Sequence, residues 1–160
     1  MKRAEFFTAT VFPRTAGSKM DEYLNFHFDV DGANFVSAGQ ASVKVKKNLR
    51  DMGLDPEVIR RVSIAMYEGE INMVIHARGG TADVNVYEDH IDIILEDHGP
   101  GIKDIALAMR EGYSTASDSV RALGFGAGMG LPNMKRYTDE MNVESVVGVG
   151  TKITMRVNIR

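Results

Sequence analysis

The sequence predicts a two-layer α/β (α+β) sandwich, in which a mixed, mostly antiparallel sheet carries helices on one face. Segments with alternating apolar residues come mostly in neighbouring pairs, which is typical of hairpins, and segments with helical periodicity lie between them. A chain of 160 residues, 44% of them hydrophobic, is also long and apolar enough to fold as one domain with a substantial core.

The N-terminal part predicts one strand and two helices. Residues 23–30 alternate in part and predict a strand, and residues 34–52 predict a helix that ends before a glycine. Asp55 and Pro56 then form a strong helix start, because aspartate is a good N-cap and proline is tolerated at the first helical position. The second helix is expected to run to about Ala77.

The C-terminal part predicts two hairpins with helices and a glycine-rich loop between them. In chain order we expect strands over 82–88 and 90–96, a short helix over 102–111, a loop over 114–130, a helix over 132–141, and strands over 143–147 and 151–159. The loop is long and small in side chains, which is typical of a functional loop.

Composition excludes several classes of function. The net charge is −3 and no polybasic segment is present, so binding to nucleic acid or to a membrane surface is not expected. Absence of cysteine excludes disulfides and thiolate zinc sites and fits a cytoplasmic protein.

Residues 1–20 are interpreted as an N-terminal extension in which disorder is expected, and residues 21–160 as the domain. Monomer and homodimer both remain open.

The second helix carries an unusual polar pair. Glu68 and Asn72 are four residues apart and therefore share one face of the helix, although their surroundings in the sequence are apolar. A solvated stripe would explain the pair, and so would a carboxylate and an amide oxygen directed at a cation such as magnesium. Gly69, inside the same helix, indicates a close approach of another group.

Two glycine-rich segments follow. In the first, the strand ending at Asp97 continues into Gly99, Gly101 and Ile102; it predicts a tight turn or a carboxylate that accepts a hydrogen bond from an exocyclic amine. In the second, amides without side chains precede a helix and can surround phosphate oxygens, unless the loop is merely flexible. The residues assigned to this second segment are Gly124, Gly126, Gly128, Met129, Gly130 and Leu131.

The order of these motifs identifies a family. A helix with E-x-x-x-N is followed by a strand with D-x-G-x-G, by a glycine loop that opens a helix, and by Gly150-Thr151 before the last strand. In this order the sequence resembles the GHKL (Bergerat-fold) ATP-binding superfamily of gyrase, histidine kinases and mismatch-repair ATPases, over residues 26–157. It is most similar to the small bacterial serine kinases of the anti-sigma and stress-switch type.

The resemblance implies roles for individual residues. Asn72 would be the Mg²⁺ ligand, and Glu68 the base for the substrate hydroxyl. Asp97 would bind the adenine amino group, with Thr151 nearby, and the glycines of both segments would line the bound ATP. Arg121 would be the nearest basic residue to the γ-phosphate, since many anti-sigma kinases have a basic residue in the lid where this chain has Gly126.

The resulting hypothesis is an ATP-dependent serine/threonine kinase of a bacterial partner-switching pathway. Its substrate would be a small regulatory protein of the anti-sigma-antagonist type, and a sigma factor is the other expected partner. Two alternatives remain: an ATP-binding anti-sigma or switch module without phosphate transfer, and a stand-alone histidine-kinase catalytic domain. A DNA-remodelling ATPase would need a transducer domain, for which 160 residues leave no room.

Overall fold

The sheet has six strands in the order β1-β2-β3-β4-β6-β5. The computed structural model describes residues 10–11, 23–122 and 128–159. In chain order the strands are β1 (Thr10–Val11), β2 (Leu24–Asp31), β3 (Gly79–Val86), β4 (His90–Asp97), β5 (Glu140–Val146) and β6 (Gly150–Asn158). All strand pairs among these residues are antiparallel. The predicted sandwich is confirmed. A mixed sheet would also contain parallel strand pairs, and none occurs in the described part of the sheet.

Five α-helices in the described ranges accompany the sheet. They are α1 (Gln40–Asp51), α2 (Pro56–Ala77), α3 (Ile105–Ala108), α4 (Asp118–Ala122) and α5 (Gly130–Tyr137). The long helix α2 contacts α1, α5 and strands β2, β3, β4 and β6. It therefore forms the centre of the helical layer and brings its residues to the middle of the sheet. No helix that the structure describes has both the length and the apolar character that crossing a membrane requires.

The core lies between the sheet and the helices. Alternate residues of the central strands are buried on the helix-facing side, whereas residues such as Asp83 and Asp92 lie on the other side and are partly exposed. The largest fully buried side chains are Leu49, Met66, Ile91, Ile93, Met134 and Met155. One-sided burial of this kind explains the alternation seen in the sequence.

The boundaries of α2 agree with the prediction because local chemistry fixes them. Asp55 accepts a hydrogen bond from the amide of Glu57, Pro56 is the first helical residue, and Arg78 ends the helix in the left-handed conformation with φ 59°. Immediately afterwards the chain enters β3 at Gly79, whereas we expected the strand from residue 82.

Other boundaries were predicted wrongly for reasons of tertiary structure. Gly39 has φ +94°, so the expected helix over 34–52 is divided into a 3-10 turn at Phe35–Ser37 and α1. The expected helix over 132–141 begins earlier, at Gly130, and ends at Tyr137 because β5 starts at Glu140 and pairs with β6.

The N-terminal extension is only partly described. Thr10–Val11 form a short strand paired with β2, so this part of the expected extension contributes to the sheet edge. Residues 1–9 and 12–20 lie outside the described residues. The domain boundary at residue 21 stays a prediction.

Candidate nucleotide-binding site

A cavity of about 790 Å³ opens between α2, the end of the central strands and the segment from α3 to α5. Its volume lies in the range of small-molecule sites. The sequence-predicted residues that line it are Glu68, Asn72, Asp97, Gly101, Ile102, Gly128, Met129, Gly130, Leu131 and Thr151. The fold thus brings together residues from four separate motifs.

Helix α2 forms one wall of the cavity. Glu68 and Asn72 both line it, as expected for residues four apart on one helix face. Between them, Gly69 lies against the sheet: a Cβ at this position would be 2.0 Å from Cδ1 of Leu95. The glycine in mid-helix therefore permits close helix–sheet packing, which fixes the depth at which the polar pair enters the cavity.

Asn72 contacts the start of α5. A Cβ at Gly130 would lie 2.8 Å from Oδ1 of Asn72, so only glycine leaves room for this amide. The first turn of α5, which opens after Gly128 and Met129, consequently lies beside Asn72. This places free backbone amides of a helix N-terminus and an amide oxygen on the same side of the cavity.

Asp97 also lines the cavity and is held there by the register of the sheet. It pairs with Thr151 across β4 and β6, and its Oδ1 accepts hydrogen bonds from the amides of Gly99 at 2.9 Å and Thr151 at 3.3 Å. Within the described residues no hydrogen bond engages Oδ2. Both amides hold the carboxylate in one orientation, so the second oxygen is available to a ligand.

Ser145 connects the loop after Asp97 with β6. Its hydroxyl accepts from the amide of Ile102 at 2.8 Å and lies 2.8 Å from the hydroxyl of Thr151. We did not predict Ser145 from the sequence, because it lies on β5 and reaches the site only through the β5–β6 pairing.

One described residue of the prediction does not line the cavity, and two predicted residues are not described. Gly99 instead packs against Ala77, where a Cβ would lie 2.6 Å from the Cβ of that alanine, and it supports Asp97 through its amide. Gly124 and Gly126 lie outside the described residues. Their contact with a nucleotide stays a prediction.

The charge of the cavity wall is mainly negative. Its described side chains include the carboxylates of Glu68, Asp97 and Asp104 but only one ammonium or guanidinium group, that of Lys103. Burial lowers the pKa of His76, which also lines the wall, and the charge of Asp97 opposes this shift. The imidazole therefore adds no positive charge near neutral pH.

We did not predict Lys103 from the sequence and expected Arg121 to be the basic residue nearest to the γ-phosphate. The guanidinium of Arg121 donates to the carbonyl of Ser114 at 3.1 Å, and Arg121 is not among the residues that line the cavity. Lys103 directly follows the D-x-G-x-G-I motif, and this adjacency was the signal available in the sequence.

Magnesium has suitable but few protein ligands here. The described residues contain no group of three or more histidine or carboxylate side chains arranged to hold a metal ion. Mg²⁺ commonly retains water and binds through one or two protein oxygens together with substrate phosphates. The Oδ1 of Asn72 beside the amides of α5 fits such a partly protein-bound ion.

Comparison with known proteins identifies the class. A family model described as a histidine kinase-like ATPase domain matches residues 33–157. A solved structure of the RsbU and RsbW domains of Rv1364c from Mycobacterium tuberculosis has a TM-score of 0.57 at 15% identity and supports the fold alone; the match covers 83% of this chain and 32% of that longer one. The chain belongs to the histidine kinase-like ATPase family.

Sequence relatives narrow the assignment. The chain is 35% identical to the serine/threonine-protein kinase RsbT of Bacillus subtilis (strain 168), over 75% of this chain and 85% of the relative. It is 36% identical to an anti-sigma F factor of Clostridium novyi (strain NT), over 67% of this chain and 77% of the relative. These relatives confirm the predicted superfamily and the predicted class of partner-switching serine/threonine kinases.

Proposed function

We propose that this chain transfers the γ-phosphate of ATP to a serine or threonine of a small regulatory protein, with Glu68 as the base and Asn72 as the Mg²⁺ ligand. The observation that carries the proposal is the cavity lined together by Glu68, Asn72, Asp97 and the start of α5. A cytoplasmic location belongs to the proposal, because the expected partners are regulators of transcription.

The adenine end is assigned to Asp97. Because its Oδ1 is engaged by two backbone amides, Oδ2 accepts the hydrogen bond of the exocyclic amino group. The amide of Thr151 donates to this carboxylate, and Ser145 joins the hydroxyl of Thr151 to the loop at Ile102. A carboxylate accepts hydrogen bonds and donates none. It therefore pairs with the exocyclic amino group of adenine and disfavours the carbonyl that guanine has at the same ring position.

The phosphate end is assigned to the start of α5. Amides at the N-terminus of α5 bind phosphate oxygens, and Lys103 is the one described ammonium group among the side chains that line the cavity. Bound Mg²⁺, with Asn72 as its protein ligand, would neutralise phosphate charge. The proposal requires Mg²⁺ because the described side chains of the cavity wall include more carboxylates than cations.

Glu68 is assigned to the transfer step. Its carboxylate lies one helical turn before Asn72 and lines the same cavity. When the hydroxyl of the partner protein attacks the γ-phosphorus, the oxygen–phosphorus bond to ADP breaks and Glu68 accepts the hydroxyl proton. Phosphoryl transfer needs little more from the protein than positioning and charge stabilisation.

One observation favours the alternative of an ATP-binding switch that transfers no phosphate. In the described part of the lid segment Arg121 is bonded to Ser114 and does not line the cavity. A lid without a cation at the γ-phosphate would bind ATP yet stabilise the transition state weakly. The kinase and the switch would both bind ATP, and only the kinase would form a phosphorylated protein.

Nucleotide binding is tested by thermal unfolding. With ATP and Mg²⁺ at 100 times the dissociation constant, we expect about 2.7 kcal/mol of added stability, a rise in Tm of roughly 5–10 °C for a chain of this size. Mg²⁺ alone and ATP with a chelator are the controls, and both should give smaller shifts. No shift at millimolar nucleotide and Mg²⁺ would exclude the proposed function.

A further inference from the structure

Asn133 forms a hydrogen bond with the proposed base. It is in the first turn of α5, and its side-chain amide donates to Oε1 of Glu68 at 3.0 Å. Both side chains are partly buried, and Asn133 does not line the cavity. Of the two carboxylate oxygens, Oε1 is thus engaged by a residue outside the cavity wall, and no described hydrogen bond engages Oε2.

We infer that Asn133 is a positioning residue that orients the carboxylate of Glu68 for proton transfer and links this orientation to α5. The inference rests on the proposed function of Glu68. A glutamate on a helix surface has several rotamers of similar energy, and a hydrogen bond to one oxygen selects among them. Asn133 leaves Oε2 to face the acceptor hydroxyl.

The position of Asn133 in the chain gives this contact a second consequence. The backbone amide of Asn133 donates to the carbonyl of Met129 at 2.9 Å, so the residue is fixed in the first turn of α5. The same turn carries Gly130, which contacts Asn72. One short helix therefore supports both the proposed metal ligand and the proposed base, and the two are held in a constant relation to the phosphate-binding amides.

The chemical nature of the amide matters. An amide nitrogen donates to a carboxylate, whereas an aspartate at the same position would place a second negative charge about 3 Å away. Asn133→Asp has nearly the same shape as the original side chain and should fold. The two neighbouring carboxyl groups would then share a proton more readily, and the substitution would turn Glu68 away from its working orientation.

The test uses the full chain, Mg-ATP and a protein substrate, and measures steady-state phosphate transfer as a function of pH. For Asn133→Ala we expect kcat to fall about 10- to 100-fold, with the KM for ATP changed less than about threefold. For Asn133→Asp we expect the same fall or a larger one, and the acid limb of the pH–rate profile should move to higher pH. Lys135→Ala, an exposed change on the same helix, is the control and should alter neither quantity.

A double-mutant cycle separates positioning from a structural role. In the Glu68→Gln background, Asn133→Ala should lower the residual rate less than about twofold, because the group that it orients has been removed. If both Asn133 variants keep the wild-type kcat and pH profile, or lose activity only in proportion to the unfolded fraction in thermal scans, the inference is wrong.

Failure of the inference and failure of the proposed function give different results. A wild-type chain that transfers phosphate, a Glu68→Gln variant that does not, and Asn133 variants that behave as wild type overturn the inference alone. A Glu68→Gln variant with full activity overturns the role of Glu68, and the role of Asn133 with it.

Discussion

Replacing Glu68 with glutamine is expected to lower phosphate transfer by about 10²- to 10⁴-fold while ATP affinity stays within a few-fold of the original. Glutamine retains the shape of the side chain and an acceptor for Asn133, but it cannot accept the proton of the attacking hydroxyl. Affinity should persist because Asn72 and Asp97, the proposed metal and adenine contacts, are unchanged. The measurement is single-turnover transfer from labelled ATP together with calorimetric titration of nucleotide.

The matched control is Glu57→Gln. Glu57 is on the same helix, roughly 16 Å from Glu68 along the axis at about 1.5 Å per residue, and it forms an exposed ion pair with Arg60. This control should leave both transfer and binding unchanged. Equal transfer rates for Glu68→Gln and the wild type would remove Glu68 from the mechanism.

Glu70 cannot serve as the control, although the sequence alone predicts that it would: it lies two residues after Glu68 and so projects from a different side of the helix, where a change to glutamine would be neutral. The side chain is 3% exposed, and its carboxylate accepts hydrogen bonds from the amides of Gly39, Ala41 and Ser42 at the start of α1. Burial raises the pKa of Glu70, while these amides favour its ionised form. A substitution there would loosen the contact between α1 and α2, since three buried donors would lose part of their acceptor.

Changes at Asn72 and Asp97 are expected to affect nucleotide binding in different ways. Asn72→Ala should weaken binding of ATP and GTP alike in the presence of Mg²⁺, and should have a smaller effect when a chelator removes the metal. Asp97→Asn should instead reduce the preference for ATP over GTP, because a hydrogen bond to a charged group is worth about 1.5–3 kcal/mol, or roughly 10- to 100-fold in affinity.

The reason lies in the geometry of Asp97. Asparagine can keep the Oδ1 acceptor for the amides of Gly99 and Thr151, and it then presents an NH₂ group where Oδ2 was. That group opposes the amino group of adenine and suits the carbonyl of guanine. Calorimetric titration with both nucleotides measures the two constants. If both variants changed ATP and GTP binding equally with and without Mg²⁺, the assignment of the two ends of the cavity would be wrong.

Local signals made much of this fold predictable. Asp55 and Pro56 mark the start of α2, and the alternation of Ile91, Ile93 and Leu95 marks β4. Motif order was sufficient to identify the superfamily. Such features are encoded within a few residues of the element that they define, so a single sequence contains them.

Residues that act through tertiary contacts could not be predicted in the same way. Glu70 looks like an exposed helical glutamate until α1 is placed against it, and Asn133 has no partner until α5 docks on α2. Lys103 becomes part of the cavity only when the loop after Asp97 closes it. In each case the deciding contact joins distant parts of the chain or depends on how a loop folds back, which periodicity does not reveal.

The chemical identity of the phosphorylated residue tests the central claim most directly. The wild-type chain is incubated with Mg-ATP and proteins that it retains from its native host, and phosphosites are mapped under conditions that preserve phosphohistidine. We predict phosphoserine or phosphothreonine on a small regulatory protein, formed only when Mg²⁺ is present. Phosphohistidine on the acceptor, or no phosphate on any retained protein, would contradict the assignment of this site as a serine/threonine kinase.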